Sequence, residues 1–180
     1  MLFTSLSPSD LSSVHSSKRL YRSLALGSSL CLMALTFSQT AAAITTKNIT
    51  YTVDDQAYEG YYAKADKANA PFILLIHDWD GLTDYERKRA DMLATEGYNV
   101  LAADMFGQGI RPTSMEENKR LTGQLYDDRS KMRRLLEGAL NAGRLQGNDV
   151  REGVTMGYCF GGTVALELAR SGFPQKAFVP

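Results

Sequence analysis

Apolar positions along the chain fall into short unbroken runs that alternate with stretches of helical periodicity. Ile44, Ile49, Tyr51 and Val53 lead to a turn at Asp54-Asp55-Gln56, and Tyr58 to Ala63 follow. β-branched and aromatic residues around an Asp-rich turn predict a hairpin over 44–63. Lys64 to Ala70 is a polar linker. Pro71-Phe72-Ile73-Leu74-Leu75-Ile76 is continuous and apolar, the pattern of a strand buried on both faces of a parallel sheet. Thr83 and Glu86 have the spacing of a capping box. They predict a helix to Glu96 with Ala90, Leu93 and Ala94 on one face, stopped by Gly97. Tyr98 to Ala103 is the next buried strand, ending at Asp104.

Gly107, Gly109 and Pro112 then mark a loop, and Ser114 with Glu117 offers a second capping box. Met132, Leu135, Leu136, Ala139 and Leu140 recur at i, i+3, i+4, i+7 and i+8, a helix closed by Gly143 and Gly147-Asn148. Another apolar run starts at Val154 and passes into a helical pattern, and Lys176-Ala177-Phe178-Val179 begins a further strand before Pro180. Strands alternating with helices predict an α/β fold: an open, mostly parallel sheet with helices on both faces. Sites in such sheets form beyond the carboxyl ends of the strands. His77-Asp78-Trp79 and Tyr158-Cys159-Phe160 both fall there.

The second of these stretches is the more informative. Met156-Gly157-Tyr158-Cys159-Phe160-Gly161-Gly162 has the form of a nucleophile elbow, with cysteine in the usual serine position. The nucleophile of an elbow sits on a strained strand-to-helix turn, so its neighbours two residues away need almost no side chain. Gly157 and Gly161 supply that, and Gly162 lets the helix approach the sheet. At the start of a helix Cys159 meets the positive end of the macrodipole, where anionic charge is stabilised. The N–H of Phe160 would point at a developing oxyanion. The plain alternative is a small apolar cysteine that packs.

Composition changes the picture at one end. The 180 residues are 44% hydrophobic and carry no formal net charge, which suits one domain plus a leader. There is no basic surplus or Lys/Arg-rich tract, so no nucleic-acid partner is expected. No zinc-like Cys/His spacing is present, and no metal or cofactor is expected. Lys18, Arg19 and Arg22 precede the apolar run Leu24 to Phe37, which ends at Thr40-Ala41-Ala42-Ala43. A basic segment, a short apolar core and an Ala-x-Ala site predict a signal peptide over 1–43, and hence an exported, periplasmic or secreted protein. The run is too short and Ser-interrupted to favour a membrane span, although a retained anchor is the alternative. Cleavage would leave Cys159 and His77 as the sole cysteine and histidine. It would also leave no membrane insertion and no resolving cysteine for redox chemistry.

The chain resembles the dienelactone hydrolase family of α/β-hydrolases. The matching stretches are Ile76-His77-Asp78-Trp79-Asp80-Gly81-Leu82, Ala102-Ala103-Asp104-Met105-Phe106-Gly107 and the Cys159 elbow, in the family's order and spacing. The resemblance covers about residues 50–180. It implies cleavage of a small-molecule ester or lactone through an acyl-cysteine intermediate. Cys159 would attack, and the N–H groups of Trp79 and Phe160 would form the oxyanion hole. The family's acidic partner of the resting thiol, usually glutamate, matches Asp78. Its substrate-binding arginine is not matched directly, since Gln108 falls near that position. Arg111 is a candidate to grip a substrate carboxylate, or else a solvated loop residue. His77 has two readings, general base or shaper of the oxyanion loop, and the second is favoured. Asp104 is expected to cap the turn after its strand. Tyr158 and Trp79 read as packing aromatics, with Trp79 also a candidate pocket wall.

The family completes its triad with an aspartate and a histidine on later strands. The sequence stops about two strands and two helices earlier, so residues 44–180 are expected to form a partial domain whose strand 176–179 is an apolar sheet edge. A catalytically inactive fragment, or a half-domain that binds a partner, is the rival expectation. Oligomeric state and substrate identity are not legible.

Overall fold

The computed structural model describes residues 43–180; the expected signal peptide lies outside them, except for Ala43. Six strands and four helices follow in the order β1 (Thr45–Val53), β2 (Gln56–Lys64), β3 (Phe72–Ile76), α1 (Asp84–Thr95), β4 (Asn99–Ala103), α2 (Met115–Asp127), α3 (Arg129–Leu145), β5 (Val154–Gly157), α4 (Phe160–Arg170) and β6 (Ala177–Val179). They build one sheet in the order β1-β2-β4-β3-β5-β6. The four strands β3 to β6 run parallel, and the β1–β2 hairpin joins β4 antiparallel. This is the open, mostly parallel α/β sheet that the apolar runs predict.

The hairpin turns on Asp54 and Asp55, both with positive φ (49° and 61°), which places Val53 opposite Gln56. Two successive residues at positive φ match the right-handed twist of the flanking strands, and aspartate tolerates that conformation. All five residues of β3 are buried. Leu74 and Ile76 face one core with Leu101 of β4 and with α2, α3 and α4. Ile73 and Leu75 face another with Ala90 and Ala94 of α1. Both faces of β3 are therefore dry, and it shows no alternation because neither face meets water.

The first capping box is complete. Thr83 caps α1, its N–H and hydroxyl both donate to Glu86 Oε2 at 2.8 Å, and its Oγ1 accepts the N–H of Tyr85. The second is only half formed. Ser114 Oγ accepts the N–H of Glu117, but Glu117 Oε2 reaches past Ser114 to the N–H of Thr113. Between α2 and α3 the chain breaks at Asp128, which ends one helix and starts the next; its Oδ1 accepts the N–H of Lys131 at 2.8 Å.

Among the described residues no helix is long and apolar enough to cross a membrane. An open cavity of about 700 Å³ lies by Phe72 and Asn99, the first residues of β3 and β4. That is the opposite end of the sheet from the elbow.

Candidate active site

The strand β5 ends at Gly157, and α4 begins at Phe160 with Cys159 as its N-cap residue. Cys159 is exposed, free, and held at φ 51° and ψ −108°. A non-glycine residue in that region is strained, and such strain persists only where the surroundings over-determine it. Here they do. A Cβ on Gly157 would collide with the backbone of Gly161, and one on Gly161 would lie 2.5 Å from the carbonyl oxygen of Ile76 and 2.6 Å from that of His77. The elbow is thus wedged against the end of β3. Gly161 N donates to Tyr158 O at 2.8 Å and Gly162 N to Cys159 O at 3.1 Å, closing the first turn. Phe160, as the first helical residue, has no carbonyl one turn back to occupy its N–H.

Beneath the elbow sits His77, fully buried. Its ring lies 5.8 Å from that of Phe160 and 4.7 Å from that of Phe106, centroid to centroid. Nε2 accepts the N–H of Met105 at 3.1 Å, so the proton of the neutral ring is on Nδ1, which donates to Asp78 O at 2.6 Å. Burial pushes the His77 pKa below its ordinary value, against the opposing pull of the Asp78 carbonyl and of Asp104 and Glu86. A neutral imidazole with both nitrogens engaged ties the loop after β3 to the loop after β4. It has no lone pair left for a thiol.

Asp104 is also fully buried, and it caps the turn after β4. Oδ1 accepts the N–H groups of Phe106 and Gly107 at 3.0 and 3.1 Å, and Oδ2 accepts that of Glu59 at 3.2 Å. Arg111 turns toward this carboxylate, with Nη1 3.8 Å from Asp104 Oδ2 and 2.7 Å from the carbonyl of Ile110. Gln108 reaches Glu59 Oε2 at 3.5 Å. Trp79 is partly buried against the larger core, and Tyr158 against the smaller one. The Tyr158 hydroxyl accepts from Arg89 Nε at 2.9 Å, and its ring meets Tyr85 edge-on at 5.7 Å. The contact of Arg89 with Tyr158 is not legible in the sequence, because nothing local links α1 to the elbow.

Asp78 brings further company that spacing did not reveal. Its Oδ1 accepts the N–H of Asp80 at 3.1 Å, and Asp78, Asp80 and Glu86 each present an oxygen within 4.8 Å of the others. The pKa of Asp80 is pushed up to about 7 by burial first, then by its contact with Asp78 and by the Glu86 charge. Glu86 is visible in the sequence only as a helix cap.

The family model of the dienelactone hydrolase family matches residues 58–180. Carboxymethylenebutenolidases of Pseudomonas putida and Pseudomonas knackmussii are 25% identical over 140 residues, which covers 72% of this chain and 59% of theirs. A solved structure named m3DLH aligns at a TM-score of 0.70 and 34% identity, over 74% of this chain and 57% of its own. A dienelactone hydrolase-like promiscuous phosphotriesterase from metagenomic libraries aligns at 0.69 and 32% identity, over 76% and 59%. The chain therefore spans 59% of the length of the curated relatives. With the family pattern extending over most of the described residues and the elbow built as the glycines require, the chain belongs to the dienelactone hydrolase family.

Proposed function

We propose that this chain carries the nucleophile of a cysteine hydrolase that cleaves an ester or lactone through an acyl-cysteine intermediate. The observation that carries the reading is the exposed, strained Cys159 at the N-cap of α4. Cys159 Sγ attacks the carbonyl carbon. The oxygen takes the negative charge and is met by the N–H groups of Phe160 and Trp79. Collapse expels the alkoxide, which takes up a proton, and water then cleaves the thioester to regenerate the thiol. Asp78 would hold the resting thiol, as the family resemblance implies. The names of the Pseudomonas relatives favour a butenolide-type lactone as substrate class. Arg111 could bind a substrate carboxylate through Nε and Nη2 while Nη1 keeps its bond to the Ile110 carbonyl. The basic and apolar pattern before Ala43 supports export of the mature chain.

The base for the thiol is not His77, because both ring nitrogens are engaged. That observation favours a second reading, a half-domain that binds a partner and does not turn over substrate. Mass spectrometry separates the two. On the hydrolase reading, p-nitrophenyl acetate leaves one acetyl group on Cys159, at a rate well above that of the urea-denatured chain, and Cys159→Ala takes none. Equal acylation of folded and denatured chains would sink it and leave the half-domain reading. A mature N-terminus at Ile44 in protein recovered outside the cell is the expected sign of export; an N-terminus upstream of Ala43 would count against it.

A further inference from the structure

The loop after β3 and the first turn of α1 converge on three carboxylates. Asp78, Asp80 and Glu86 each contribute an oxygen, and all three lie within 4.8 Å of one another. Glu86 is 1% exposed. Its Oε2 accepts from the N–H and hydroxyl of Thr83, which completes the helix cap, while its Oε1 is buried with no hydrogen-bond partner. Capping needs only one of those oxygens. An orphaned carboxylate oxygen buried beside two further carboxylates is a costly arrangement unless something positive occupies it.

The donor set selects what that would be. Three carboxylate oxygens, with no thiolate or imidazole among them, suit a hard cation. Calcium binds oxygen at about 2.3–2.6 Å, so two ligands on opposite sides of it stand about 4.6–5.2 Å apart; magnesium, with about 2.0–2.1 Å bonds, requires a tighter cluster. Three protein carboxylates within 4.8 Å of one another suit calcium, since magnesium is held by one or two carboxylates and keeps several of its waters.

We propose that Asp78, Asp80 and Glu86 form a binding site for a calcium-sized divalent cation that braces the loop between β3 and α1. Water would fill the remaining coordination positions. Spacing alone points to no metal, because Glu86 reads first as the partner of Thr83 in the helix cap. The site stands independently of the hydrolase reading, since its test does not require turnover.

Trp79, the only tryptophan in the chain, stands between two of the ligands in sequence and serves as the antenna. Terbium(III) is titrated into the chelator-treated full chain, and its luminescence is read under tryptophan-selective excitation. The expected result is saturable emission from one site that calcium displaces, weakened by more than about tenfold in affinity in Asp80→Asn, a loss that even outer-shell partners of a metal commonly produce. Calcium is also expected to raise the thermal midpoint of the wild-type chain. Trp79→Phe should abolish the emission but keep that calcium-dependent rise. Non-saturating emission, unchanged affinity in a folded Asp80→Asn, or a wild-type midpoint indifferent to millimolar calcium would overturn the proposal. If Asp80→Asn does not fold, the wild-type midpoint decides alone.

Discussion

The imidazole of His77 accepts the backbone N–H of Met105 at 3.1 Å while its other nitrogen donates to the carbonyl of Asp78. One ring thus clamps two strand-end loops together directly beneath the elbow. Replacing it by glutamine should remove this brace and cost about 1–3 kcal/mol in urea unfolding, the range for a buried polar group left unpaired. Alkylation of Cys159 by iodoacetamide in the folded protein should change only a few-fold. A loss in the range of about 10²–10⁴, typical of removing a general base, would show that His77 activates the thiol after all.

The elbow glycines give a sharper contrast. A Cβ on Gly161 would press on two main-chain carbonyls of the β3 end, which cannot rotate away as a side chain could. Gly161→Ala should destabilise by about 3 kcal/mol or more. Gly123 sits inside α2 with nothing within 4 Å of its added Cβ, so Gly123→Ala should stabilise by about 0.5–1 kcal/mol. Urea denaturation of the two variants side by side checks both signs. A tolerated Gly161→Ala would mean that the strand end can shift, and the strain at Cys159 would then lose its explanation.

What could be read from the sequence was local. The run from Phe72 to Ile76, the Thr83–Glu86 box and the glycines around Cys159 each encode their structure within a few residues, and all three formed as read. The break at Asp128 did not show, because α2 buries Asn118 and Thr122 alongside Leu121 and Leu125 and so blurs its apolar stripe. Arg111 and Asp104 are close in sequence, yet their pairing depends on how the Gly107–Ile110 turn folds back. The pairing of Arg89 with Tyr158 is tertiary, and the gathering of Asp80 and Glu86 around Asp78 depends on how the loop after β3 turns into α1. A pattern confined to one element carries no signal for either.

The hairpin tyrosines predict an alkaline limit to stability. Burial, then the Asp104 charge, pushes the Tyr51 pKa far above its ordinary value, and its hydroxyl donates to the Asp104 carbonyl at 3.0 Å. Tyr58, Tyr61 and Tyr62 are raised as well, each by burial first. In the unfolded chain all four lose their protons near pH 10. Below that pH both states are protonated and the stability is fully present. Above it the unfolded state sheds protons that the folded state retains, so stability falls by up to about 1.4 kcal/mol per pH unit for each such tyrosine. Above about pH 8, where Asp80 has ionised in the folded state too, the urea midpoint should be flat to about pH 9 and drop beyond 10, with a shallower drop in Tyr51→Phe. An identical slope in the variant would remove Tyr51 from the account.

An ion cluster ties α4, the helix that begins at the elbow, to α3. Glu167 lies on α4 with its side chain 5% exposed, and Arg133 of α3 donates to its Oε1 from Nε and Nη2 at 2.8 and 2.6 Å. Arg129 and Arg170 stand 3.5 and 3.8 Å from its other oxygen. The carboxylate is buried but the guanidiniums are 40–60% exposed, so losing Glu167 returns them to water while losing the arginines strands a buried charge. Glu167→Gln should therefore cost less than Arg133→Gln, which leaves Oε1 without its best donors. Charged hydrogen bonds of this kind contribute about 1.5–3 kcal/mol, and solvent screening of the arginine side favours the lower end. A double-mutant cycle in urea should return a coupling of about 1–2 kcal/mol that shrinks only modestly in high salt. A coupling near zero would mean that apolar contacts of Val164 and Leu168, not this ion cluster, anchor α4 to α3.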